Sequence, residues 1–533
     1  PGEFSLIDIG AVVDDGEGSV PSDAAQAAID SLTAQGLESG GEALQFHMVN
    51  GVLVGYVTDV GADDLSYDVF SLQVNADGSY TFTLLGPIDH PVSDGNDGEL
   101  LSDGDGLAID LSGVLAATDG DGDPLLGGFH AGSFVIDVQD DVPTQLAHGV
   151  VTGDTSVDED SLLLGMDDHD GVSTVVTGSV SGLVSFGADG PGAFSLNAEG
   201  IASLQQQKLT SAGNPLQFRV EGDLLTAFVV TKAQNGDEPA EGYDVFTLEL
   251  NDAGVGSYTF TLLSQLDHPL DDADDSETLD SSFIAIDFSG VLAVTDGDGD
   301  PLVGGFRGGS FVIDVEDDVP VVNLNPDAKP LAATLDESLF HPPFGDGDHS
   351  VTISAGQVKA LFAEPKFGAD GPGEVTYALD LKTPVIDQNP DAVQALVVPG
   401  VGSGLYAIEV GDKSAFEGDG YGQGAEILLT QSGNTITGAV GGVTYFTITI
   451  NPSDGTLTFK QLDNIWHSNS SNPDDPATLK LISSDLLQIV QTATDGDDDP
   501  VSVRANVGEG LFSIEDDGPK ALIGLNPLFG QVT

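Results

Sequence analysis

Hydrophobic and polar residues alternate with a period of two along much of this chain. Asp68–Val74 places Phe70, Leu72 and Val74 on one face, and Ser79–Leu85 alternates in the same way after an Asn-Ala-Asp-Gly turn. Because successive side chains of a strand point to opposite faces, the pattern predicts a β-hairpin with one buried face.

The same pattern occurs twice more. DVFTLEL and SYTFTLL lie within 243–263, and YFTITI and TLTFKQL lie within 444–462. Helical character is limited to 23–32 and 356–363. Many short strands separated by Gly/Asp turns predict an all-β fold with few short helices. We expect tandem, immunoglobulin-like β-sandwich domains in an extended array.

A long self-similar stretch sets the domain organisation. It occupies 117–143, 294–320 and 493–519, and its first copy reads ATDGDGDPLLGGFHAGSFVIDVQDDVP. Each copy has an acidic turn, a hydrophobic strand and an acid-acid-x-Pro exit. A second anchor, FGADGPG, stands at 186–192 and 367–373. Repeats of this length are whole domains.

These anchors define the predicted boundaries. The first repeat spans 1–146 and lacks the segment that precedes FGADGPG in the others. The second spans 147–323 and the third 324–522, and 523–533 is the start of a further domain or a linker. The chain is thus expected to be a piece of a longer array.

Composition narrows the function. Of 533 residues, 88 are acidic and 13 basic, for a formal net charge of −75, while 40% are hydrophobic. That apolar content supplies cores and excludes a disordered acidic tail. Nucleic acid is excluded as a partner because a phosphate backbone needs basic contacts. No apolar run approaches the length of about 18 residues that a membrane span needs. Cysteine is absent, so no disulfide stabilises the domains. We expect a monomeric chain.

The acidic turns are candidate calcium sites. Carboxylates at every second position of a tight turn repel one another unless a cation lies between them, and calcium takes six to eight oxygens. The candidate ligands are Asp119, Asp121, Asp123, Asp296, Asp298, Asp300, Asp495, Asp497 and Asp499. These are not EF-hand loops, because the sixth and twelfth positions from Asp119 are Pro124 and His130. The alternative is a surface turn in which Asp serves the backbone.

The exits supply a second set of candidate ligands. Acids at the end of one repeat and the start of the next are predicted to share a cation at the junction, with a polar linker as the alternative. The first group is Asp140, Asp141, Asp158 and Glu159; the second is Asp317, Asp318, Asp336 and Glu337; the third exit offers Asp516 and Asp517.

Catalysis is not expected. His90 and His268 stand in Asp-His-Pro triplets and Trp466-His467 holds the matching place, but no nucleophile motif accompanies them. Their repetition favours a turn or strand-end role. FGADGPG lacks the spacing of phosphate and dinucleotide loops and is interpreted as a turn that needs glycine.

The run ATDGDGDPL…FVIDVQDDVP resembles the tandem domains of bacterial type I secretion targets, found in giant repeats-in-toxin adhesins. The resemblance covers most of the chain and implies a secreted, calcium-loaded β protein at the bacterial surface. It also implies a spacer role in cell adhesion and biofilm formation, with neighbouring repeats of the same chain as partners. The third repeat departs from the pattern, with Asp498 where the others have Gly122 and Gly299.

One alternative function stays open. The third repeat has an insert at 382–424 and the sole tryptophan, Trp466, so it is the candidate binder of a carbohydrate or another surface. Surface glycans are then further candidate partners. Core packing of Trp466 is the competing interpretation.

Overall fold

The computed structural model describes most of the chain. The described residues are 2–14, 19–58, 66–90, 107–163, 172–230, 242–268, 284–337, 349–382, 400–411 and 422–516. Contacts between Cα atoms divide the chain into two compact units. Unit 1 comprises Pro1–Glu159, Gly171–Leu266 and Ile284–Val315; unit 2 comprises Asp160–Asp170, Asp267–Phe283 and Glu316–Thr533. The repeat boundaries predicted from the sequence stay predictions.

The all-β sandwich prediction is confirmed, since strands predominate and the helices are few and short. The α-helices of the described residues are Asp23–Thr33, Ile201–Gln206 and Ala355–Lys359. The 3-10 helices are Ser112–Val114, Glu159–Ser161, Ser181–Leu183, Ala198–Gly200 and Ser484–Leu486. None of these helices has the length and apolar character needed to cross a membrane.

The strands of unit 1 are Glu3–Leu6, Val12–Asp14, Ser19–Pro21, Glu38–Ser39, Glu42–Ala43, Gln45–Val49, Val52–Thr58, Ser66–Val74, Tyr80–Leu84, Leu107–Asp110, Leu115–Thr118, Val135–Val138, Thr144–Gln145, Thr152–Gly153, Ser156–Asp158, Val175–Ser179, Val184–Ser185, Pro191–Leu196, Thr210–Ser211, Asn214–Pro215, Gln217–Glu221, Leu224–Val230, Gly242–Asp252, Ser257–Leu262, Ile284–Asp287, Leu292–Asp296 and Val312–Glu316.

The strands of unit 2 are Ala333–Asp336, Ser350–Ile353, Pro372–Leu381, Val401–Ile408, Gln423–Ser432, Thr435–Val440, Val443–Ile450, Leu457–Gln461, Ile465–Trp466, Pro476–Lys480, Leu487–Asp495, Pro500–Asn506 and Glu509–Glu515.

Antiparallel meanders form the largest sheets. In unit 1 a four-stranded sheet runs through 45–84 and a six-stranded sheet through 152–262. The predicted hairpin is present in the first of these, with Leu72 opposite Phe82. Unit 2 contains a seven-stranded sheet from 350–466. In the six-stranded sheet the apolar residues of Ser257–Leu262 are buried at every second position, as the alternation predicts, whereas in the first hairpin Tyr80 and Leu84 are exposed and Phe82 is half-buried.

Aromatic residues fill the cores. In unit 1 Phe246, Phe260, Phe288 and Phe311 are fully buried, and neighbouring ring centroids lie 5.3 to 5.9 Å apart. Truncating one such ring to alanine typically costs about 3–5 kcal/mol. Phe246 and Phe260 stand on the strands Gly242–Asp252 and Ser257–Leu262, while Phe288 directly follows Ile284–Asp287 and Phe311 directly precedes Val312–Glu316.

Two strand pairs place the acidic turns. Leu292–Asp296 pairs with Pro191–Leu196, and Pro191 lies opposite Asp296. In unit 2 Leu487–Asp495 pairs with Pro372–Leu381, and Pro372 lies opposite Asp495. Each pairing sets a FGADGPG loop beside a DGDxDP turn.

Candidate metal centres

The three acidic turns share one backbone conformation. In each, the first Asp accepts a hydrogen bond through Oδ1 from the backbone N–H four residues later. The pairs are Asp119–Asp123 at 2.9 Å, Asp296–Asp300 at 2.7 Å and Asp495–Asp499 at 2.8 Å. A short carboxylate side chain that binds its own backbone is what favours Asp in turns. The turn interpretation and the ligand interpretation are therefore compatible, since each carboxylate keeps a second oxygen.

The fourth position of each turn has a positive φ. The values are 97° at Gly122, 109° at Gly299 and 90° at Asp498. Glycine adopts this region without steric penalty, whereas Asp does not. The third turn therefore keeps the shared conformation in spite of its departure in sequence.

The turns differ in exposure. Asp119, Asp121 and Asp123 are exposed. In the second and third turns the first and last carboxylates are buried, with exposures of 2% at Asp296, 1% at Asp300, 1% at Asp495 and 0% at Asp499. The same motif therefore lies in water once and in the protein interior twice.

The second turn meets the exit of the first repeat inside unit 1. Asp298 Oδ2 accepts a hydrogen bond from the backbone N–H of His90 at 3.0 Å. His90 Nδ1 lies 3.1 Å from Asp140 Oδ1. His90, Asp140 and Asp298 each offer one ligand atom, and these atoms lie within 4.8 Å of one another. One cluster thus draws on two predicted repeats.

The His90 ring is oriented from both sides. Its Nε2 lies 3.2 Å from the carbonyl oxygen of Val138. A carbonyl only accepts, so Nε2 carries a hydrogen in this contact. Burial raises the pKa of Asp140 to about 7, which His90 counteracts and the neighbouring Asp300 reinforces.

The FGADGPG loop completes this junction. Asp141 Oδ2 accepts a hydrogen bond from the backbone N–H of Ala188 at 2.7 Å. Gly187 has a φ of 73°, and a Cβ added there would overlap the Asp141 carboxylate. Asp189 follows, and burial together with the charge of Asp298 raises the pKa of Asp189 to about 6. The predicted glycine turn therefore also places the Asp189 carboxylate in the junction.

Asp189, Asp296 and Asp298 form a second group in the same junction. One ligand atom from each lies within 4.8 Å of the others. Burial raises the pKa of Asp296 to about 7, and its hydrogen bond and charge interaction with Asp298 add to the rise. Carboxyls with such values hold protons that a bound cation would replace.

Unit 2 repeats the arrangement with the second exit and the third turn. His268 Nδ1 lies 3.1 Å from Asp317 Oδ1, and Asp497 Oδ2 accepts a hydrogen bond from the backbone N–H of His268 at 2.9 Å. Asp499 is hydrogen-bonded to Asp317, and burial followed by the Asp317 charge raises the pKa of Asp499 to about 8. Burial and Asp497 raise the pKa of Asp495 to about 8. The correspondence with unit 1 holds residue for residue.

The loop of the third repeat completes the unit 2 cluster. Asp318 Oδ2 accepts a hydrogen bond from the backbone N–H of Ala369 at 2.5 Å. Burial and a hydrogen bond to Asp160 raise the pKa of Asp318 to about 9. Burial and the charge of Asp497 raise the pKa of Asp370 to about 10. Burial therefore favours the protonated form of both carboxyls when no cation is bound.

A third exit cluster differs in its contacts. His467 Nε2 lies 2.7 Å from Glu337 Oε2, and Ile465 N–H and Gln461 Nε2 donate to Glu337 Oε1 at 2.8 and 3.1 Å. Asp516 supplies a third possible ligand atom. The hydrogen bond to Glu337 raises the pKa of His467 against the opposing effect of burial. A buried imidazolium–carboxylate pair accounts for this cluster.

The remaining predicted ligands are placed as follows. Asp158 and Glu159 are buried, and Glu159 Oε1 accepts a hydrogen bond from the backbone N–H of Leu266 at 2.6 Å. Asp336 ends the strand Ala333–Asp336, and Asp517 lies outside the described residues. The contacts described above join each exit pair to the turn and loop of the following repeat. Sharing of a cation with Asp158, Glu159, Asp336 or Glu337 stays a prediction.

The sequence-based ligand set omitted several members of these clusters: His90, His268, His467, Asp160, Asp189 and Asp370. The signal for Asp189 and Asp370 was present, because FGADGPG recurs with the same Asp each time. Its interpretation as a glycine turn is compatible with φ values of 73° and 68° at Gly187 and Gly368. What the pattern could not provide is the strand pairing that sets this loop against the acidic turn.

The donor atoms suit a hard cation. Buried carboxylate oxygens have no hydrogen-bond partner among the described residues at Asp140 Oδ2, Asp296 Oδ2, Asp318 Oδ1, Asp370 Oδ1 and Oδ2, Asp495 Oδ2 and Asp497 Oδ1. Leaving a buried acceptor unsatisfied costs about 1–3 kcal/mol, and more when it is charged. Converging anionic oxygens are the ligand type of calcium, while magnesium demands stricter octahedral geometry. The residues present therefore fit a calcium ion.

The chain is thus an all-β protein with buried clusters of carboxylates. Residues 332–508 match the family model described as "Domain of unknown function (DUF5801)". No curated protein matches the sequence.

A solved structure of the collagen binding domain of the Erysipelothrix rhusiopathiae surface protein RspB is similar at 9% identity, over 72% of this chain and 97% of that chain. Its TM-score is 0.10, so this likeness carries no argument about fold or function.

Proposed function

We propose that this chain is a calcium-binding structural extender of a large secreted bacterial surface adhesin, acting in cell adhesion and biofilm formation. The observation that carries the calcium part is the set of buried carboxylate oxygens without hydrogen-bond partners at the two junctions, described above. The adhesin part rests on the resemblance of the repeated stretch to repeats-in-toxin adhesin domains.

The position of the clusters supports a spacer role. In unit 1, Asp140 and Asp141 belong to the predicted first repeat, whereas Asp189 and Asp298 belong to the second. Without a cation these carboxylates repel one another, and with calcium they bind the two repeats together. An extender needs such a joint, because a stiff array holds an adhesive tip farther from the cell than a flexible one.

The proposed function includes no catalysis. The histidines of the junctions are occupied by carboxylates and backbone groups: His90 by Asp140 and Val138, and His268 by Asp317. Polar groups recur at equivalent places in successive repeats, whereas a catalytic site requires one convergent constellation. A hydrolase screen against peptides, esters and glycans should give no calcium-dependent turnover.

The competing function is a carbohydrate-binding or surface-binding module in the third repeat. Trp466 lies in the strand Ile465–Trp466 and packs edge-on against Tyr406, with ring centroids 6.1 Å apart. Its side chain is half-buried. Most of the insert, 383–399 and 412–421, lies outside the described residues. The buried carboxylate oxygens at the junctions are the observation that favours the extender.

The test is thermal unfolding of the full chain in chelator, in calcium and in sodium chloride of matched ionic strength. Binding to the folded state alone stabilises by RT ln(1 + [L]/Kd), about 2.7 kcal/mol per site at one hundred times Kd. We expect calcium to raise Tm well beyond the sodium chloride sample. Equal effects of the two salts would reduce the calcium effect to charge screening and overturn the proposal.

Small-angle scattering on the same samples tests the spacer part. Calcium should narrow the distribution of end-to-end distances, and Asp317→Asn with Asp318→Asn should loosen the repeats while each stays folded. If the double variant matches the parent in calcium, the junction does not stiffen the chain.

A further inference from the structure

We propose that each buried junction holds two cations, bridged by the middle Asp of the acidic turn: Asp298 in unit 1 and Asp497 in unit 2. This inference rests on the proposed calcium function and adds the number of ions and the residue that joins them.

Two groups of ligand atoms share one residue in unit 1. The first comprises His90, Asp140 and Asp298, and the second comprises Asp189, Asp296 and Asp298. Within each group the ligand atoms lie within 4.8 Å of one another. A carboxylate that belongs to two such groups can give one oxygen to each of two cations, which in two-metal sites lie about 3.5–4 Å apart.

Each group also has its own buried oxygen that is partnerless among the described residues. In the first group it is Oδ2 of Asp140, whose side chain is 1% exposed. In the second it is Oδ2 of Asp296, which is 2% exposed. A single cation in the first group would leave Asp296 Oδ2 unsatisfied, and a single cation in the second group would leave Asp140 Oδ2 unsatisfied. Two ions satisfy both.

The charge of the junction also favours two bound cations. The carboxylates of Asp140, Asp141, Asp189, Asp296, Asp298 and Asp300 act on one another in this junction. One divalent ion leaves a large negative excess in a buried site, whereas two neutralise most of it. Buried charges persist only when they are paired or coordinate metal.

The His90 backbone holds Asp298 in its central position. Its N–H donates to Asp298 Oδ2 at 3.0 Å, and each carboxylate oxygen has a second lone pair left for a cation. His268 N–H does the same for Asp497 at 2.9 Å. Two junctions therefore fix the middle Asp in the same way.

In unit 2, candidate ligands likewise lie on both sides of the middle carboxylate, Asp497. Asp317 stands beside His268 and Asp499 on one side, at 3.1 Å from the His268 ring. On the other side both oxygens of Asp370 and Oδ2 of Asp495 are buried without a partner among the described residues. Oδ1 of Asp497 is likewise partnerless there. The middle carboxylate again stands between an exit acid and a loop acid.

The test counts calcium bound to the full chain by equilibrium dialysis and atomic spectroscopy. Asp189→Asn and Asp140→Asn each remove a ligand of one ion, so each should lower the count by one. Asp298→Asn removes the bridge and should lower it by two. Asp77→Asn, in the exposed hairpin turn 75–78 of unit 1, removes one carboxylate outside every candidate cluster and is the matched control, which should leave the count unchanged.

A second readout is luminescence energy transfer between bound ions, and its first measurement needs only the unmutated chain. Chain loaded with mixed terbium and europium should show energy transfer between neighbouring ions, and Asp298→Asn should abolish it at the first junction. If Asp298→Asn loses only one ion, as Asp140→Asn does, and the unmutated chain shows no energy transfer, Asp298 does not bridge two cations. The proposal of calcium binding would be unaffected by that result. A parent that binds no calcium overturns the proposed function itself.

Discussion

The first and second acidic turns have the same sequence, DGDGDP, and opposite environments. Asp119 is exposed, and hydrogen bonds with the Asp121 side chain and the Asp123 backbone lower its pKa. Asp296 is 2% exposed, and burial with the neighbouring Asp298 raises its pKa to about 7. Since the backbone hydrogen bond of the turn is the same, the motif determines the conformation and its neighbours determine the chemistry.

Those neighbours come from three short segments. The exit of the preceding repeat brings Asp140, the Asp-His-Pro triplet brings His90, and the FGADGPG loop brings Asp189. The first turn has no such companions within the described residues. Asp119, Asp121 and Asp123 also place one ligand atom each within 4.8 Å of the others, so cation binding at the exposed turn stays a prediction, whereas the buried sites depend on packing between repeats.

Replacing the first Asp of each turn should give the largest difference in stability between the buried turn and the exposed turn. Asp296→Asn is expected to lose calcium-dependent stability, about 2.7 kcal/mol at one hundred times Kd for one ion. In chelator Asp296→Asn should instead be more stable than the parent, because the variant no longer buries the Asp296 charge. Asp119→Asn should change neither measurement. Urea unfolding in calcium and in chelator checks this, and equal effects at the two positions would refute the contrast.

The metal-free chain should lose stability as pH rises. Carboxyls with raised pKa values, such as Asp370 at about 10 and Asp318 at about 9, hold protons in the folded state that the unfolded state has released. Between about pH 4 and those values the free energy of unfolding therefore falls with rising pH.

The measurement is chemical unfolding in chelator at about pH 5 and about pH 9, which bracket most of that window. Asp370→Asn should flatten the slope, while Asp119→Asn removes the same charge and should leave the slope unchanged. A parent whose stability rises over this interval would contradict the assigned protonation.

The loop glycines offer a paired test of the junction. A Cβ at Gly187 would overlap the Asp141 carboxylate, whereas a Cβ at Gly190 meets nothing within 4 Å. Both have positive φ, 73° and 76°. Each alanine variant should cost about 1–2 kcal/mol for its backbone. Gly187→Ala should cost more and weaken calcium binding as well; identical calorimetric results for both would show that the contact is unimportant.

The smallest expected effect concerns the third turn. Asp498 has a φ of 90°, where the matching Gly299 has 109°. Asp498→Gly should raise the free energy of unfolding of unit 2 by about 0.5–1 kcal/mol, because glycine adopts this conformation without strain. Gly299→Ala should act in the opposite direction. Stabilisation by both substitutions would be inconsistent with the shared geometry.

Much of the fold was readable from local pattern. The alternation of Phe70, Leu72 and Val74 reappears as the strand Ser66–Val74, and the helix at 23–32 appears as Asp23–Thr33 with Ser22 as its N-cap. The predicted helix at 356–363 is shorter, Ala355–Lys359, and Ile201–Gln206 was not predicted because six residues carry too little periodicity.

The site was readable only in part. Asp296, Asp298 and Asp140 followed from the repeats, since identical acidic turns and exits stand out at long period. The partnership of Asp298 with His90 and of Asp141 with Ala188 joins residues far apart in sequence. Such contacts depend on how sheets and repeats pack, and local spacing carries no information about that.

The most direct test is isothermal titration of calcium into chelator-stripped full chain and two variants. One variant carries Asp296→Asn with Asp495→Asn in the buried turns, and the other carries Asp119→Asn with Asp121→Asn in the exposed turn. The account predicts that the tight phase of the parent survives in the exposed-turn variant and disappears from the buried-turn variant. Loss of that phase in the exposed-turn variant alone, or a parent without any tight phase, would contradict it.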